Sequence, residues 1–187
     1  MFFEYDSDSD DSFEGILSIR EHMSASSSDE DEGESWHEKL KRIRENDPHF
    51  KSITRGGEDI LNMTDEESEE LGRDIANNTH LTKVDLSYET LTDHKMSSLF
   101  RGLTRSSSIE HLELQYARLR SAGARSMVPF LQNANSLTSL DLYVNNIQSE
   151  GFNLIFRALR DSPIEHLDCC NCGIESIDID GEHISEI

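Results

Sequence analysis

The chain has 187 residues and carries 38 Asp and Glu against 17 Lys and Arg, a net charge of −21. This balance repels nucleic-acid phosphates and anionic lipid headgroups, so we expect neither nucleic acid nor a membrane surface as a partner. The sequence holds no long apolar run and no basic leader with an apolar core, which argues against a membrane span and a secretion signal.

The three cysteines are crowded into residues 169–172. Such spacing is not that of a disulfide framework, which needs pairs distributed along the chain. We therefore expect free thiols and an intracellular protein, in the cytoplasm or the nucleus.

Residues 1–35 hold twelve Asp and Glu against a single Arg20, with serines between them. Such a segment buries too little apolar surface to offset the entropy of ordering, so a disordered acidic tail is predicted. Acid-directed kinases recognise a negative charge at the third following position, and the candidate phosphorylation sites with that spacing include Ser7, Ser26, Ser27 and Ser28. The alternative is a solubilising tail that is not phosphorylated.

A short helix is predicted after the tail, because Ser35 and Glu38 have the spacing of a capping box and Pro48 ends the pattern. Its basic residues indicate either a nuclear import signal or a contact with an acidic partner, the alternative being a solvated helix face: Lys39, Lys41, Arg42 and Arg44. We assign residues 36–63 to this helix and to a cap or linker.

The repeating part of the chain follows the pattern L-x-x-L-x-L-x-x-N/C-x-L. Its four copies begin at residues separated by 28, 28 and 27 positions: Leu81, Ile109, Leu137 and Ile164. A fixed period of this length predicts one short strand and one helix per unit, stacked into a solenoid. The fold class is α/β, with a parallel sheet on the concave side and helices on the convex side. A degenerate first unit supplies the helix over 64–80, so the repeat domain is predicted to cover 64–187.

The segments between the strands have apolar residues at helical spacing, i, i+3, i+4 and i+7. These stripes are Met96, Leu99, Phe100 and Leu103, then Ala124, Met127, Val128 and Leu131, then Phe152, Ile155, Phe156 and Leu159. Gly123 and Gly151 recur just before the second and third stripes and predict turns there. After Ile174 the period breaks, and Asp180-Gly181 between apolar residues predicts a hairpin that caps the domain over 175–187.

The ninth position of each copy is predicted to hold the turns together. Asn145 there should bond the backbone of the neighbouring turn, and Cys172 can substitute weakly. Glu89 and Ala117 depart from the rule, so the predicted ladder is incomplete.

A period near 28, a helix in every unit and Asn or Cys at the ninth position resemble the ribonuclease-inhibitor-like class of leucine-rich repeats. The resemblance covers about 64–187 and concerns the fold. It implies a protein that binds another protein with its concave face or a rim, and no individual functional residue is carried over.

The outward-facing strand positions define a candidate binding surface, which we call the concave strip. It combines one carboxylate per strand with neighbouring tyrosines: Asp85, Glu113, Asp141 and Asp168 with Tyr88, Tyr116 and Tyr143. Tyr supplies contact area at low entropic cost and carboxylates pair with Arg, so the strip predicts docking of a basic protein segment. The alternative is that Asp at this position is merely solvated.

Other chemistry-bearing residues predict no site. His111 and His166 lie two strands apart, about 10 Å, so they cannot share a metal or an acid–base role. Strand alternation separates Cys169 from Cys170, and the acidic residues near Gly181 lack the spacing of a calcium loop. We therefore expect no enzyme, no metal and no cofactor.

Two alternative functions come from proteins of similar repeats. Arg118 and Arg120 at a rim loop would serve a GTPase-activating regulator of Ran-type small GTPases, the alternative being solvated charges. A tropomodulin-like capper of actin-filament ends would use a second contact from an apolar island in the tail, formed by Phe13, Ile16, Leu17 and Ile19.

Overall fold

The repeats fold as short strands alternating with helices, as the period predicts. The computed structural model describes residues 34–54, 60, 62–89, 92–179 and 182–185. Its elements in chain order are α1 Trp36–Arg44, β1 Ser52–Thr54, α2 Asp65–Asn77, β2 Lys83–Asp85, α3 Asp93–Leu103, β3 His111–Glu113, α4 Ser121–Leu131, β4 Ser139–Asp141, α5 Gln148–Ala158, β5 His166–Asp168, β6 Ser176–Ile179 and β7 Glu182–Ser185. The candidate phosphorylation sites Ser7, Ser26, Ser27 and Ser28, and the apolar island, lie outside the described residues.

Strands β1 to β5 form one parallel sheet in chain order. The register aligns equivalent repeat positions, so that Val84, Leu112, Leu140 and Leu167 are neighbours in one row. Because each strand is followed by a helix that packs on the same side, the parallel arrangement is the one expected for repeated strand–helix units. The predicted α/β solenoid is confirmed.

The first, degenerate unit contributes a strand as well as a helix. β1 pairs with β2, with Ile53 opposite Val84, although it lies inside the segment 36–63 that the sequence assigns to a cap or linker. Ile53 is fully buried. The predicted start of α2 is confirmed, because Thr64 accepts from the Glu67 amide and the Glu67 carboxylate accepts from the Thr64 amide.

Helix α1 covers the first unit and is tied to it by polar contacts. Its predicted capping box between Ser35 and Glu38 is present, and Ile43 is buried. The side chain of the buried Asn78 donates to the Ile43 carbonyl at 3.0 Å and accepts from the Leu81 amide at 2.7 Å. Asn78 therefore links the cap to the beginning of the first full repeat.

Most residues of the predicted helix stripes are buried, but two are not. Val128 is partly exposed and Phe130 is buried in its place, with its ring centroid 5.8 Å from that of Phe100. Phe156 is 39% exposed and stacks on Phe152. Phe130 of α4 covers Phe100 of the preceding helix, α3. Phe156 lies on α5, the last described helix, so no described helix follows to cover it in the same way.

The turns predicted at Gly123 and Gly151 are wrong, because both residues lie in the first turns of α4 and α5. A Cβ on Gly123 would come within 2.5 Å of Leu119 Cδ1, and one on Gly151 would come within 3.0 Å of Ala124 Cβ. Close contact, rather than a positive φ, accounts for these glycines: Gly123 meets Leu119 of its own unit, and Gly151 meets Ala124 of the preceding unit.

The eighth repeat position turns the chain out of each strand with a left-handed backbone. Tyr88, Tyr116, Val144 and Asn171 have φ of 66°, 53°, 52° and 57°. This conformation is uncommon for residues other than glycine, and least favourable for β-branched Val. The bend is fixed by bonds between successive turns, since the amides of Tyr88, Tyr116 and Val144 donate to Gln115, Tyr143 and Cys170 carbonyls.

Asn145 forms the rung predicted at the ninth position. Its Nδ2 donates to the carbonyls of Leu114 and Leu142, both at 2.8 Å, and its Oδ1 accepts from the Leu119 amide at 2.9 Å. The Cys172 thiol donates to the Leu142 carbonyl at 3.0 Å. The predicted roles of Asn145 and Cys172 are confirmed, and Glu89 and Ala117 are buried at the equivalent positions.

The predicted C-terminal hairpin is present as an antiparallel pair, with Ile177 opposite Ile184. Its turn residues Asp180 and Gly181 lie outside the described part of the chain. No helix among the described residues is long and apolar enough to cross a bilayer.

Replacing Asn145 by Ala should lower the free energy of unfolding by about 3 kcal/mol, because three buried hydrogen bonds worth about 1 kcal/mol each are lost. The matched control is Asn146→Ala, one residue further and exposed. Urea denaturation followed by circular dichroism measures both changes. Equal losses in the two variants would contradict the ladder role of Asn145.

Candidate functional site

The four carboxylates of the concave strip lie in one row of the sheet. Asp85 is aligned with Glu113, Glu113 with Asp141, and Asp141 with Asp168. Each is partly exposed. Adjacent parallel strands are about 4.8 Å apart, so the row places one negative side chain at each such step across the sheet.

Three of these carboxylates also hold the turn that follows their strand. Asp85 Oδ1 accepts from the Ser87 amide, Asp141 Oδ1 from the Tyr143 amide and Asp168 Oδ1 from the Cys170 amide, at 2.8–2.9 Å. Each bond joins a side chain to the backbone two residues on, a turn that Asp is short enough to close. These three carboxylates therefore have a local structural role in the turn, and docking of a basic segment on the strip stays a prediction.

Glu113 departs from this arrangement because its side chain is one methylene longer. It pairs instead with Lys83 on the neighbouring strand, with Nζ 2.9 Å from Oε1. The backbone amide of Gln115, two residues after Glu113, donates to Ser87 Oγ at 3.2 Å. The concave strip thus contains one carboxylate that is already neutralised by a cation of the same sheet.

A polar side chain connects two parts of the strip. Gln115 Nε2 donates to Asp141 Oδ2 at 2.6 Å, so both oxygens of Asp141 are engaged. Sequence patterning did not include Lys83 or Gln115 in the site. Their positions in the same outward columns are visible in the sequence, but the pairing of each with a particular neighbour is not.

The tyrosines of the strip form a continuous cluster at the ends of the strands. The rings of Tyr88 and Tyr116 stack with centroids 4.8 Å apart, and Tyr143 meets Tyr116 edge to face at 5.6 Å. Burial, followed by a hydrogen bond with the Tyr143 side chain, raises the pKa of Tyr116. The cluster presents aromatic faces and edges beside the carboxylate row.

The predicted basic residues of α1 are occupied by acids of the folded domain. Arg44 contacts Asp74 at 2.6 Å and Glu70 at 3.1 Å, Arg42 contacts Asp47 at 2.7 Å, and Lys41 lies 3.8 Å from Glu45. Lys39 is buried and donates to the Thr54 carbonyl. Arg44 thus holds the cap onto α2, whereas the Arg42 and Lys41 pairs lie within the cap itself.

Neither histidine of the sheet joins a metal site. His111 and His166 are exposed, and the described residues include no group of three or more His, Cys, Asp or Glu arranged to hold a metal ion. All three cysteines are free thiols.

The cysteines differ in their surroundings. Burial raises the pKa of Cys169 to about 12 and also raises the pKa of Cys172. Cys170 is exposed, and a hydrogen bond to the Asp168 carboxylate raises its pKa. The predicted separation of Cys169 from Cys170 is confirmed, because Cys169 is partly buried and Cys170 is exposed.

Arg118 and Arg120 are both exposed at the rim where the chain leaves β3. Arg118 has a left-handed backbone with φ of 55°, and Arg120 occupies the N-cap of α4 without a side-chain capping bond. Action on a GTPase through these residues stays a prediction.

Comparison with known proteins identifies the type of fold. The chain matches no protein-family model and no curated protein. Among solved structures it is similar to that of leiomodin-1 actin-binding site 2, with a TM-score of 0.58 and 18% identity over 76% of this chain and 80% of that one. A tropomodulin C-terminal domain from Caenorhabditis elegans gives a TM-score of 0.45 and 16% identity over 73% of this chain and 64% of that one. At this identity the first likeness establishes a leucine-rich-repeat-like fold.

Alkylation of the native protein should modify Cys170 first and leave Cys169 and Cys172 protected until the chain unfolds. Asp168→Asn should speed the reaction at Cys170 several-fold, because removing the carboxylate lowers the thiol pKa and increases the thiolate fraction, while the Asn oxygen can still accept from the Cys170 amide. Mass spectrometry after timed iodoacetamide treatment measures each site, with Asp161→Asn as the control. Modification of Cys172 as fast as that of Cys170 in the folded chain would contradict the assigned environments.

Proposed function

We propose that this protein is a non-enzymatic interaction module that binds a basic segment of another protein through the concave strip. The observation that carries the proposal is the carboxylate row in register beside a contiguous cluster of three tyrosine rings. Carboxylates recognise Arg and Lys by charge-assisted hydrogen bonds, and aromatic faces bind the same cations by cation–π contact.

The spacing of the strip favours a particular geometry for the bound segment. Strands repeat about every 4.8 Å, whereas a helix repeats its faces about every 5.4 Å. A helix lying across the strands can therefore present basic side chains near the successive carboxylates Asp141 and Asp168, whereas Glu113 is already paired with Lys83. An extended segment places same-side residues about 6.6 Å apart and matches the row less well.

The turn bonds within the strip support binding rather than oppose it. Each carboxylate has about four lone-pair directions, and a single backbone bond leaves the others for a ligand. Asp85 and Asp168 each accept one such bond, which fixes the carboxylate before a partner arrives. A fixed carboxylate loses less side-chain entropy on binding than a freely rotating one.

The class of leucine-rich repeat to which this domain belongs is proposed from the repeats themselves. Units of 27 and 28 residues, a helix in each, and the side-chain bonds of Asn145 and Cys172 support membership of the ribonuclease-inhibitor-like class. An intracellular location is proposed on the free cysteines.

Neutralising three carboxylates should remove the bound protein without unfolding the domain. The variant is Asp85→Asn, Asp141→Asn and Asp168→Asn, in which each Asn oxygen can still accept the turn bond. The matched control is Glu66→Gln, Asp161→Asn and Glu175→Gln, which removes equal charge at exposed positions outside the strip.

Crosslinking pull-downs from native lysate with quantitative mass spectrometry compare the three proteins, after circular dichroism has shown equal folding. We expect a partner captured by the parent and the control to fall at least about tenfold with the strip variant, equivalent to roughly 1.4 kcal/mol of binding energy. Equal capture by all three would reject the strip as the site.

A second candidate is binding to actin, because the solved structure of similar fold is an actin-binding site of leiomodin-1. Purified full-length protein should then cosediment with actin filaments or bind monomeric actin with saturation. Tropomodulin-like end capping further predicts slower elongation at a filament end, and removal of residues 1–35 should weaken the effect. Absence of the protein from the pellet, together with unchanged polymerisation kinetics, would end this candidate.

A further inference from the structure

The last strand leaves an apolar row of the core partly uncovered. Within the described residues the parallel sheet ends at β5. Val84, Leu112 and Leu140 are buried in the row that Leu167 continues, but Leu167 itself is partly exposed. Three further core positions of the fourth repeat are also partly exposed, Ile164, Cys169 and Ile174, whereas Cys172 is buried.

The C-terminal hairpin covers the helical side of this end rather than the sheet. Ser149 Oγ accepts from the amides of Glu175 and Ser176 at 3.0 Å, and Asn153 Oδ1 accepts from the Asp178 amide at 2.9 Å. Arg157 pairs with Asp178 at 2.6 Å. Because these α5 residues are spaced one turn apart, the hairpin lies along the helix where a next helix would stack, and β6 and β7 pair with each other outside the parallel sheet.

The backbone of β5 leaves hydrogen-bonding groups at the edge of the sheet. The His166 amide donates to the Thr138 carbonyl at 3.0 Å, and the Asp168 carbonyl accepts from the Leu142 amide at 2.8 Å, so both residues bond toward β4. Backbone groups of successive strand residues point to opposite sides. The N–H and C=O of Leu167 therefore point away from β4, toward the edge.

We propose that β5 pairs antiparallel with β5 of a second copy of this chain, about a two-fold axis at Leu167. In that register Leu167 faces Leu167 of the second copy and the two exchange both backbone hydrogen bonds. His166 then faces Asp168 of the second copy in a pair without backbone bonds, where the side chains approach most closely. A two-fold axis makes this contact twice.

The sequence of the edge strand favours a second copy over an unrelated strand. Reversing His166-Leu167-Asp168 against itself sets a base opposite an acid on the concave side and an apolar residue opposite an apolar residue on the core side. The pairing also buries the partly exposed Leu167. The pairing also joins the parallel sheets of the two copies. The identity of the protein that binds the concave strip does not affect this pairing.

Sedimentation equilibrium of the full chain over a range of concentrations tests the pairing. Two chains of net charge −21 repel each other, so the experiment uses about 0.15 M salt, at which screening acts over about 8 Å. We expect a reversible monomer–dimer equilibrium, strengthened when salt is raised from lower concentrations.

His166→Asp places a carboxylate opposite Asp168 and should lower the association constant at least tenfold. Asp168→Asn should weaken association several-fold while it keeps an oxygen able to accept from the Cys170 amide. The exchange His166→Asp with Asp168→His should restore association to within a few-fold of the parent. The matched control is His111→Asp at the equivalent position of β3, inside the sheet, which should leave association unchanged.

A monomer at every concentration would overturn the proposal, and so would a dimer that persists unchanged in His166→Asp. An equal loss in His111→Asp would show that net charge, rather than the β5 edge, governs association. Because the concave-strip variant itself changes Asp168, the lysate pull-down is repeated with Asp85→Asn and Asp141→Asn alone, which leave β5 unchanged, so failure of either proposal is recognised on its own.

Discussion

The constraint on which the rest of this structure depends is a core only one repeat thick. A three-residue strand and an eleven-residue helix cannot hide their apolar faces from water alone, so each unit is stable only when neighbours cover it. The parallel register, the lack of a side chain at Gly151 and the side-chain bonds of Asn145 all serve the close stacking of one turn on the next. Stability therefore accumulates along the stack and is weakest where a neighbour is missing.

The two ends meet that constraint in different ways. At the N-terminal end, α1 packs Ile43 into the core, and Arg44 pairs with two acids of α2. At the C-terminal end the hairpin binds along α5 through polar contacts and leaves the sheet layer at β5 partly exposed. The difference explains why Leu167 is the row member that retains contact with solvent, and why the β5 edge has features of an interface.

The same stacking creates the concave strip. The same repeat position recurs on each strand. A residue type that suits the turn after one strand therefore recurs on the neighbouring strands, and its side chains form a row on the surface. Asp closes the turn after β2, β4 and β5 by accepting from the backbone two residues on, and the row of negative charge follows from that repetition. One Asp side chain can thus close a turn and also bind a partner, since the turn bond uses only some of the carboxylate's hydrogen-bond acceptor positions.

The sequence by itself determined the period, the strand and helix of each full repeat, the inward rows, the ladder at Asn145 and the terminal hairpin, because each follows from local spacing and side-chain type. It also determined the members of the carboxylate row, since a strand alternates its faces. Only the tertiary structure decided that residues 52–54 complete the sheet, that Phe130 rather than Val128 fills the core, and that Lys83 neutralises Glu113 while Gln115 binds Asp141. These outcomes depend on the distance and orientation between elements far apart in the chain, which a repeat pattern does not encode.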